Sequence, residues 1–337
     1  MKRPAALLVC ILLFLPLCAC GAERAVPLQC GGVRFTPGEY AFVLHGVLRQ
    51  TGEDAAREDV IARADNDCRY YAALEQALQN EGLSLSVPHK SQAAARTRGQ
   101  WQFFAAHYRA LGMNKSDLTQ LNLWEETEKA LTEHLFGPGG KREVKESKLK
   151  KRFGETYVGF RSFSEPLTKE NAAGETVPLS EKEQTALWET FRALKGRADS
   201  GASLDSLFKD YCRSKGLLAT TGTEVSVFRQ GDPTVTQEFF ASVQKLGSGE
   251  TAVLLNGSNL VLLQRIDLLA PDTPYFAEAR DRVLFELKGE QTQKEVRALA
   301  EAMQTHTDTQ VCNEIYARVR AASQADHKQG ARLPDGP

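Results

Sequence analysis

The sequence predicts an α+β fold in which a helical domain is interrupted by a mixed βα domain and then resumed. Three observations predict it. Apolar residues recur at intervals of three and four over about 54–81, 89–111 and 116–135, the spacing of one buried helix face. Period-two alternation then takes over in YVGFRSF (157–163), and short apolar runs at Ala252–Leu255 and Leu260–Ile266 flank Asn256-Gly257, the strongest two-residue hairpin signal. An amphipathic run over about 275–304 then brings the helical period back.

The chain has 337 residues, enough for one large core or two ordinary ones. Its 42 Lys+Arg against 43 Asp+Glu leave no global field that would attract nucleic acid. A hydrophobic share of 42% with 25% charged residues excludes global disorder and a multi-span membrane protein. The N-terminus departs from these averages. Met1-Lys2-Arg3 is followed by fifteen uncharged residues, Ala5 to Ala19, too short for the ~20-residue span of a bilayer core and shaped like a secretory h-region. Leu17-Cys18-Ala19-Cys20 resembles a bacterial lipobox, with a small residue at −1 and Cys at +1. The resemblance implies cleavage after a 1–19 signal peptide and acylation of Cys20. Cys18 is the poorer acceptor because it would put Leu17 at −1. An ordinary cleaved signal or an uncleaved anchor are the competing readings. A diacyl anchor holds an otherwise water-soluble chain to one leaflet, and an exported address permits disulfides among Cys30, Cys68, Cys212 and Cys312.

The elements follow in order. VRFTPGEY (33–40) gives a short strand and a helix start, with Thr36 as N-cap, Pro37 at N1 and Glu39 at N3, a capping box. The next helix carries Ile61, Ala64, Cys68, Tyr71, Leu74, Ala77 and Leu78 on one face and stops at Gly82. Ser86-Val87-Pro88 turns into a helix bearing Trp101, Phe104 and Tyr108, and Ser116-Asp117 opens another that ends at Gly137-Pro138-Gly139-Gly140. Seven of the twelve residues from Lys141 to Arg152 are basic; with Val144, Leu149 and Phe153 inward this reads as a solvated amphipathic helix. After the strand at 157–163 come a polar loop over 164–178, a helix from Leu179 to Lys195, a short helix at 204–212, a strand at 223–228 and a helix at 237–246. VCNEIY (311–316) reads as a strand, and 322–337 as a disordered tail.

That order of elements resembles the SurA/PrsA-type exported foldases, in which a parvulin-like domain sits between two parts of a helical chaperone domain. VRFTPGEY resembles the family's opening strand and helix start, VKESKLKKRFGETYVGFRSF (144–163) its last helix running into the first parvulin strand, and LDSLFKDYC (204–212) its short second helix. Residues 222–267 are the most specific stretch, with the strand, the helix and turn before a Gly-Glu, and the closing hairpin. YFAEARDRVLFEL resembles the returning helix. The implied organisation is a helical domain over 20–154, a degenerate parvulin-like domain over 155–270, a returning helix and strand over 271–321, and the tail at 322–337. Active parvulins of the family carry a His on the first and on the last strand. Those positions fall at Ser162 and Asn259, the polar helix-end residue falls at Cys212, and none of the six His lies between Tyr157 and Ile266. The resemblance therefore implies a parvulin fold with weak or no isomerase activity. It also places the opening and terminal strands side by side, which implies a Cys30–Cys312 disulfide.

Other chemistry is thin. There is no GxSxG elbow, GxGxxG or Walker loop, CxxC pair or Cys/His cluster, so no cofactor or metal is expected. The aromatic density of the helical part is informative, because adjacent pairs such as Tyr70-Tyr71 and Phe103-Phe104 should not both point inward. Leu218, Phe228, Phe239 and Phe240 in the inserted part, with Tyr71, Trp101, Phe104 and Trp124 in the helical part, are the candidates for contact with an apolar client; core packing competes for each. The expected function is a membrane-anchored periplasmic chaperone or foldase for unfolded or nascent exported polypeptides, in the outer membrane if Gly21 after Cys20 sorts it there. The alternatives are an active peptidyl-prolyl isomerase and a non-chaperone lipoprotein that uses the fold as an interaction module.

Overall fold

The computed structural model describes residues 25–52, 54–219 and 222–329. The signal segment with Cys20, Thr221 and the last eight residues lie outside the described residues. The elements run β1 (Leu28–Cys30), β2 (Val33–Arg34), α1 (Pro37–Thr51), α2 (Arg57–Asn80), α3 (Val87–Ala110), α4 (Lys115–Phe136), α5 (Glu146–Thr156) and β3 (Tyr157–Pro166). There follow β4 (Thr168–Glu170), β5 (Thr176–Pro178), α6 (Glu181–Asp199), α7 (Leu204–Ser214), β6 (Val225–Arg229) and α8 (Gln237–Gln244). β7 (Thr251–Asn256), β8 (Asn259–Ile266), α9 (Tyr275–Glu301), β9 (Thr305–Thr307) and α10 (Thr309–Gln329) complete the order. The fold class is α+β.

The chain divides into two compact units, one made of the residues up to Leu131 together with those from Thr292 onward, the other of Thr132–Gln291. The first unit is therefore discontinuous in sequence. Its sheet has the order β2-β1-β9, with Leu28 opposite Thr307 and Cys30 opposite Thr305. Tyr40, Leu44 and Leu48 of α1, Ala64, Cys68 and Leu74 of α2 and Cys312, Ile315 and Val319 of α10 form its apolar centre. The capping box at Thr36 is present in full: its hydroxyl accepts from Glu39 N at 3.1 Å and its N–H donates to Glu39 Oε2 at 2.9 Å. The Thr36 hydroxyl also donates to Asp117 Oδ1 at 2.8 Å, and Asp117 Oδ2 accepts from Asn114 N at 2.7 Å.

Two expectations at the C-terminal end are corrected. Residues 311–316 are helical rather than a strand, because Cys312, Ile315, Tyr316 and Val319 form a stripe at helical spacing that seals the core. That helix continues to Gln329, so 322–329 are structured. The strand expected near the terminus lies earlier, at Thr305–Thr307.

The second unit is built on a four-stranded antiparallel sheet of order β6-β3-β8-β7. Its faces serve two separate cores. Val158, Phe160, Val261 and Leu263 pack with Phe239, Phe240 and Val243 of α8. Phe163, Leu260 and Leu262 pack on the other face with Phe191 and Leu194 of α6 and Leu204, Leu207 and Tyr211 of α7. A third core joins Phe136 and Val144 to Leu149 and Phe153 of α5, Leu268, and Val283 and Leu284 of α9. This cluster draws the end of α4 and the start of α9 into the unit, which therefore spans 132–291. The polar stretch at 164–178 holds a small hairpin, β4 with β5, closed by Asn171 and by Gly174 at φ 79°.

Two outcomes test this description. Gly38 has no room for a methyl group, since a Cβ there overlaps the Asp117 carboxylate and comes within 3.1 Å of the Met113 backbone. Gly38→Ala should lower stability by about 1–3 kcal/mol in urea denaturation. Glu39 is buried beside Asp117 and Glu75, and burial is the main reason its carboxyl is pushed up to about 7. A raised carboxyl favours the folded state while protonated, so this contribution is complete below the ordinary pKa of 4.5 and is lost as pH rises through about 7. Urea midpoints should fall between pH 5 and pH 8 in the native chain, and the fall should be smaller in Glu39→Gln.

Candidate functional site

The inserted unit is where the resemblance places catalytic residues, and its strand register decides whether they can act together. Successive side chains of a strand alternate between faces. On β3, Ser162 therefore shares the face of Val158 and Phe160, and on β8 Asn259 shares the face of Val261 and Leu263. The two are on one side of the sheet but are not opposite each other. Ser162 pairs with Leu263, while Asn259 begins its strand opposite Pro166. Four residues of extended chain separate them along the ladder, roughly 13 Å. Cys212 is buried on α7, whose apolar residues serve the other face. The structure thus divides the three positions and assembles no polar constellation from them.

The apolar candidates resolve largely into core. Phe239 and Phe240 are buried in α8, and Phe228 stacks on Phe160 with ring centroids 5.3 Å apart. Trp124 is buried, stacks on Tyr71 at 4.8 Å and donates its Nε1–H to Glu75 at 2.6 Å. Trp101 stacks on Tyr108 at 5.9 Å, and Phe104 is half-buried. Tyr70 and Tyr71 both turn inward, contrary to the expectation from their adjacency. Tyr70 manages this because its hydroxyl donates to Glu128 Oε2 at 2.8 Å, so its polar end is satisfied. Of the predicted set, Leu218 is the exposed member, at 92%.

Phe103 is 76% exposed while its neighbour Phe104 is half-buried, as the adjacency of the pair requires, where α3 departs from helical geometry at Phe104 (φ −123°, ψ 15°). Sequence reading missed Val87, exposed at the start of the same helix, and Leu217, which precedes Leu218 in the inserted unit just beyond Gly216 at φ 71°. The signal for the last pair was available: two leucines directly after a glycine that ends α7 have no helix face to join. Nothing in the local sequence marks the break at Phe104.

Cys30 and Cys312, expected to bridge, are both free thiols buried in the first unit. Cys312 Sγ donates to the Pro27 carbonyl at 3.4 Å. Burial, reinforced by the Asp65 charge, pushes the Cys30 thiol up to about 12, and burial likewise pushes Cys312 up to about 11. Both stay protonated and unreactive at neutral pH. Among the described residues, no cluster of three or more His, Cys, Asp or Glu could hold a metal ion, and no helix is long and apolar enough to cross a membrane.

No family model matches the chain, and no curated protein does. Solved structures similar to this chain include the foldase protein PrsA from Streptococcus pneumoniae, 13% identical, covering 88% of this chain and 99% of that one at a TM-score of 0.37. The PrsA foldase from Lactococcus lactis is 10% identical, with the same coverages and a TM-score of 0.38. A structure of the SurA-like chaperones of Campylobacter jejuni is 10% identical, covering 84% of this chain and 99% of that one at a TM-score of 0.27.

The register makes a direct prediction about the lost histidines. Restoring them as Ser162→His with Asn259→His should leave cis/trans isomerisation of a proline tetrapeptide at its uncatalysed rate, because the two rings would stand too far apart to share one prolyl amide. A clear rate gain in the double variant would show that the register had been misread.

Proposed function

We propose that the chain is an exported chaperone that holds unfolded polypeptides, tethered to a bacterial membrane through Cys20, and that its inserted unit has the parvulin fold without working isomerase machinery. The observation that carries this reading is the closure of the helical unit by β9 against β1, Leu28 opposite Thr307, across an inserted βα unit. It is the arrangement that the sequence resemblance to the exported foldases implies. Exposed apolar side chains support the same reading. Phe103 and Val87 on α3, and Leu217 and Leu218 after α7, present apolar surface that folding within their own units leaves unused. A near-neutral charge, 42 basic against 43 acidic residues, suits binding of chains of either sign.

Membrane attachment and periplasmic location rest on Leu17 to Cys20, and the domain limits near 155 and 270 on the resemblance. Prolyl isomerisation needs only a desolvated, twisted amide, against a barrier of about 18–20 kcal/mol. The separation of Ser162 from Asn259 and the placement of Cys212 on the other side of the sheet support the inactive reading over the active one. The third reading, an interaction module with no chaperone role, is separated by behaviour toward unfolded chains.

The test is suppression of aggregation of a denatured outer-membrane protein by the purified chain, alongside a proline-isomerisation assay on the same preparation. Suppression without isomerisation is expected, and Phe103→Glu and Leu218→Glu should each weaken it while leaving thermal stability unchanged, both side chains being exposed. A well-folded chain that leaves aggregation unaltered would overturn the chaperone reading. Labelling with radioactive palmitate, lost in Cys20→Ser, is the expected outcome for the anchor.

A further inference from the structure

The inserted unit holds a cleft of about 430 Å³ whose walls come from α5, from the connection between β6 and α8, and from the first part of α9. Its shape has a local cause. Arg152 and Thr156 lie one helical turn apart on α5 and so face the same side. Gly231 at φ 86° turns the chain back after β6, and Asp232 fixes that turn by accepting from Thr234 N at 2.9 Å. Phe240 supplies an apolar wall from α8.

Two side chains that line this cleft each carry a buried polar atom with no partner among the described residues. Glu286 of α9 lines it with a side chain 9% exposed. Its Oε1 accepts from Arg229 Nε at 2.8 Å and from the Tyr157 hydroxyl at 3.4 Å, while its Oε2 is buried and accepts from nothing. Arg152 lines the same cleft with a buried Nε–H that donates to nothing. Buried polar atoms in folded proteins are nearly always hydrogen-bonded, so each such exception calls for an explanation. Here one unused acceptor and one unused donor belong to side chains that line the same cavity.

We propose that this cleft is an amide-binding subsite: an N–H of the ligand donates to Glu286 Oε2 while the carbonyl of the same or a neighbouring amide accepts from Arg152. The choice of ligand follows from the charges around it. A free cation would satisfy Glu286 but meet Arg152 and Arg229, and a free anion would satisfy Arg152 but meet Glu286 and Asp232. An amide carries the donor and the acceptor without net charge, and Phe240 and Val235 can cover the carbon atoms beside it. The subsite deepens the proposed function and rests on it in one respect, that the amide belongs to a bound polypeptide. Its source is either the peptide backbone or the side-chain carboxamide of Asn or Gln.

Three labelled short peptides test it by fluorescence anisotropy with the purified chain. The first is an extended peptide of Ala, Val, Phe and Ser, the second the same peptide with its central backbone amides N-methylated, the third the N-methylated peptide carrying one Gln. The native chain should bind the first about tenfold more tightly than the second, the loss expected for removing a hydrogen bond to a charged group. Tight binding of the third would assign the site to side-chain carboxamides, and weak binding would assign it to the backbone; either result supports an amide site. Arg152→Gln and Glu286→Gln should each remove most of the preference. Arg152 makes no ion pair among the described residues, so its variant should keep the fold and decides the matter even if Glu286→Gln unfolds, which circular dichroism would reveal. Equal affinity of both variants and the native chain for the first peptide would overturn the proposal, as would displacement of the peptide by millimolar inorganic phosphate. Peptide binding unaffected by either variant, with aggregation suppression intact, sinks the subsite alone. Variant-sensitive peptide binding without suppression sinks the chaperone reading and leaves the subsite standing.

Discussion

A single carboxylate, Asp65 on α2, fastens together segments that lie far apart in the chain. Its Oδ1 accepts from the Tyr40 hydroxyl of α1 at 2.7 Å, and its Oδ2 accepts from the Thr307 hydroxyl of β9 at 3.1 Å, across 242 residues of sequence. Burial pushes its pKa up, while the hydrogen bonds from Tyr40 and Thr307 oppose the shift. The helical unit depends on this junction, because without the returning segment α1 and α2 would expose their apolar faces. Closing a loop of that length costs about 5 kcal/mol of chain entropy. Burying Val296, Ile315 and Val319 at about 1.5–3 kcal/mol each is enough to offset it. The polar contacts at Asp65 then select one register from the many that apolar burial alone would allow.

The inserted unit follows a different logic. Its sheet is covered on both faces, and each face recruits its own helices: α8 on one, α6 and α7 on the other. A strand residue can therefore reach only the groups of its own side. This explains why Cys212 cannot join Ser162 and Asn259, which share a face but are held apart by the register, and why the apolar residues of α8 were better candidates for core than for client contact. The exposed leucines after α7 escape because Gly216 ends the helix before they can turn toward either face.

What could be read from the sequence was what local chemistry dictates. Thr36-Pro37-Gly38-Glu39 announces a helix start, and Asn256-Gly257 a tight turn with Gly257 at φ 58°. The β4–β5 hairpin was hidden because TKE and TVP offer no apolar alternation, although Asn171 and Gly174 marked its turn. VCNEIY is short and carries the β-favouring Val311, Ile315 and Tyr316, which suggests a strand when it is read alone. Only with Val319 included does the spacing of Cys312, Ile315 and Tyr316 become that of a helix. The pairing of opening and terminal strands came from the resemblance, since THT carries no strand signal of its own. The cleft was illegible for a deeper reason: Arg152, Arg229 and Glu286 stand on three elements, and no spacing in sequence predicts their meeting.

Two buried glutamates show what distinguishes a structural carboxylate from one left open. Glu126 on α4 has a fully buried side chain, met by His89 Nδ1 at 3.0 Å, Arg96 at 3.2 Å and Lys129 at 2.6 Å. Burial alone would raise its pKa, yet the hydrogen bonds from Lys129 and His89 and the charges of Lys129 and Arg96 hold it below the ordinary range. Such completeness is what a buried charge requires, because desolvation costs several kcal/mol unless every lone pair is met. Glu286 is almost as buried but only half completed, with Oε1 served by Arg229 and Tyr157 and Oε2 by nothing. Packed apolar residues often replace a buried ion pair without loss of stability. A carboxylate kept for stability alone would thus be either completed, as Glu126 is, or absent. Its retention with one oxygen open, at the wall of a cleft that holds an equally unmatched arginine, fits a surface that leaves part of its hydrogen bonding to a partner from outside.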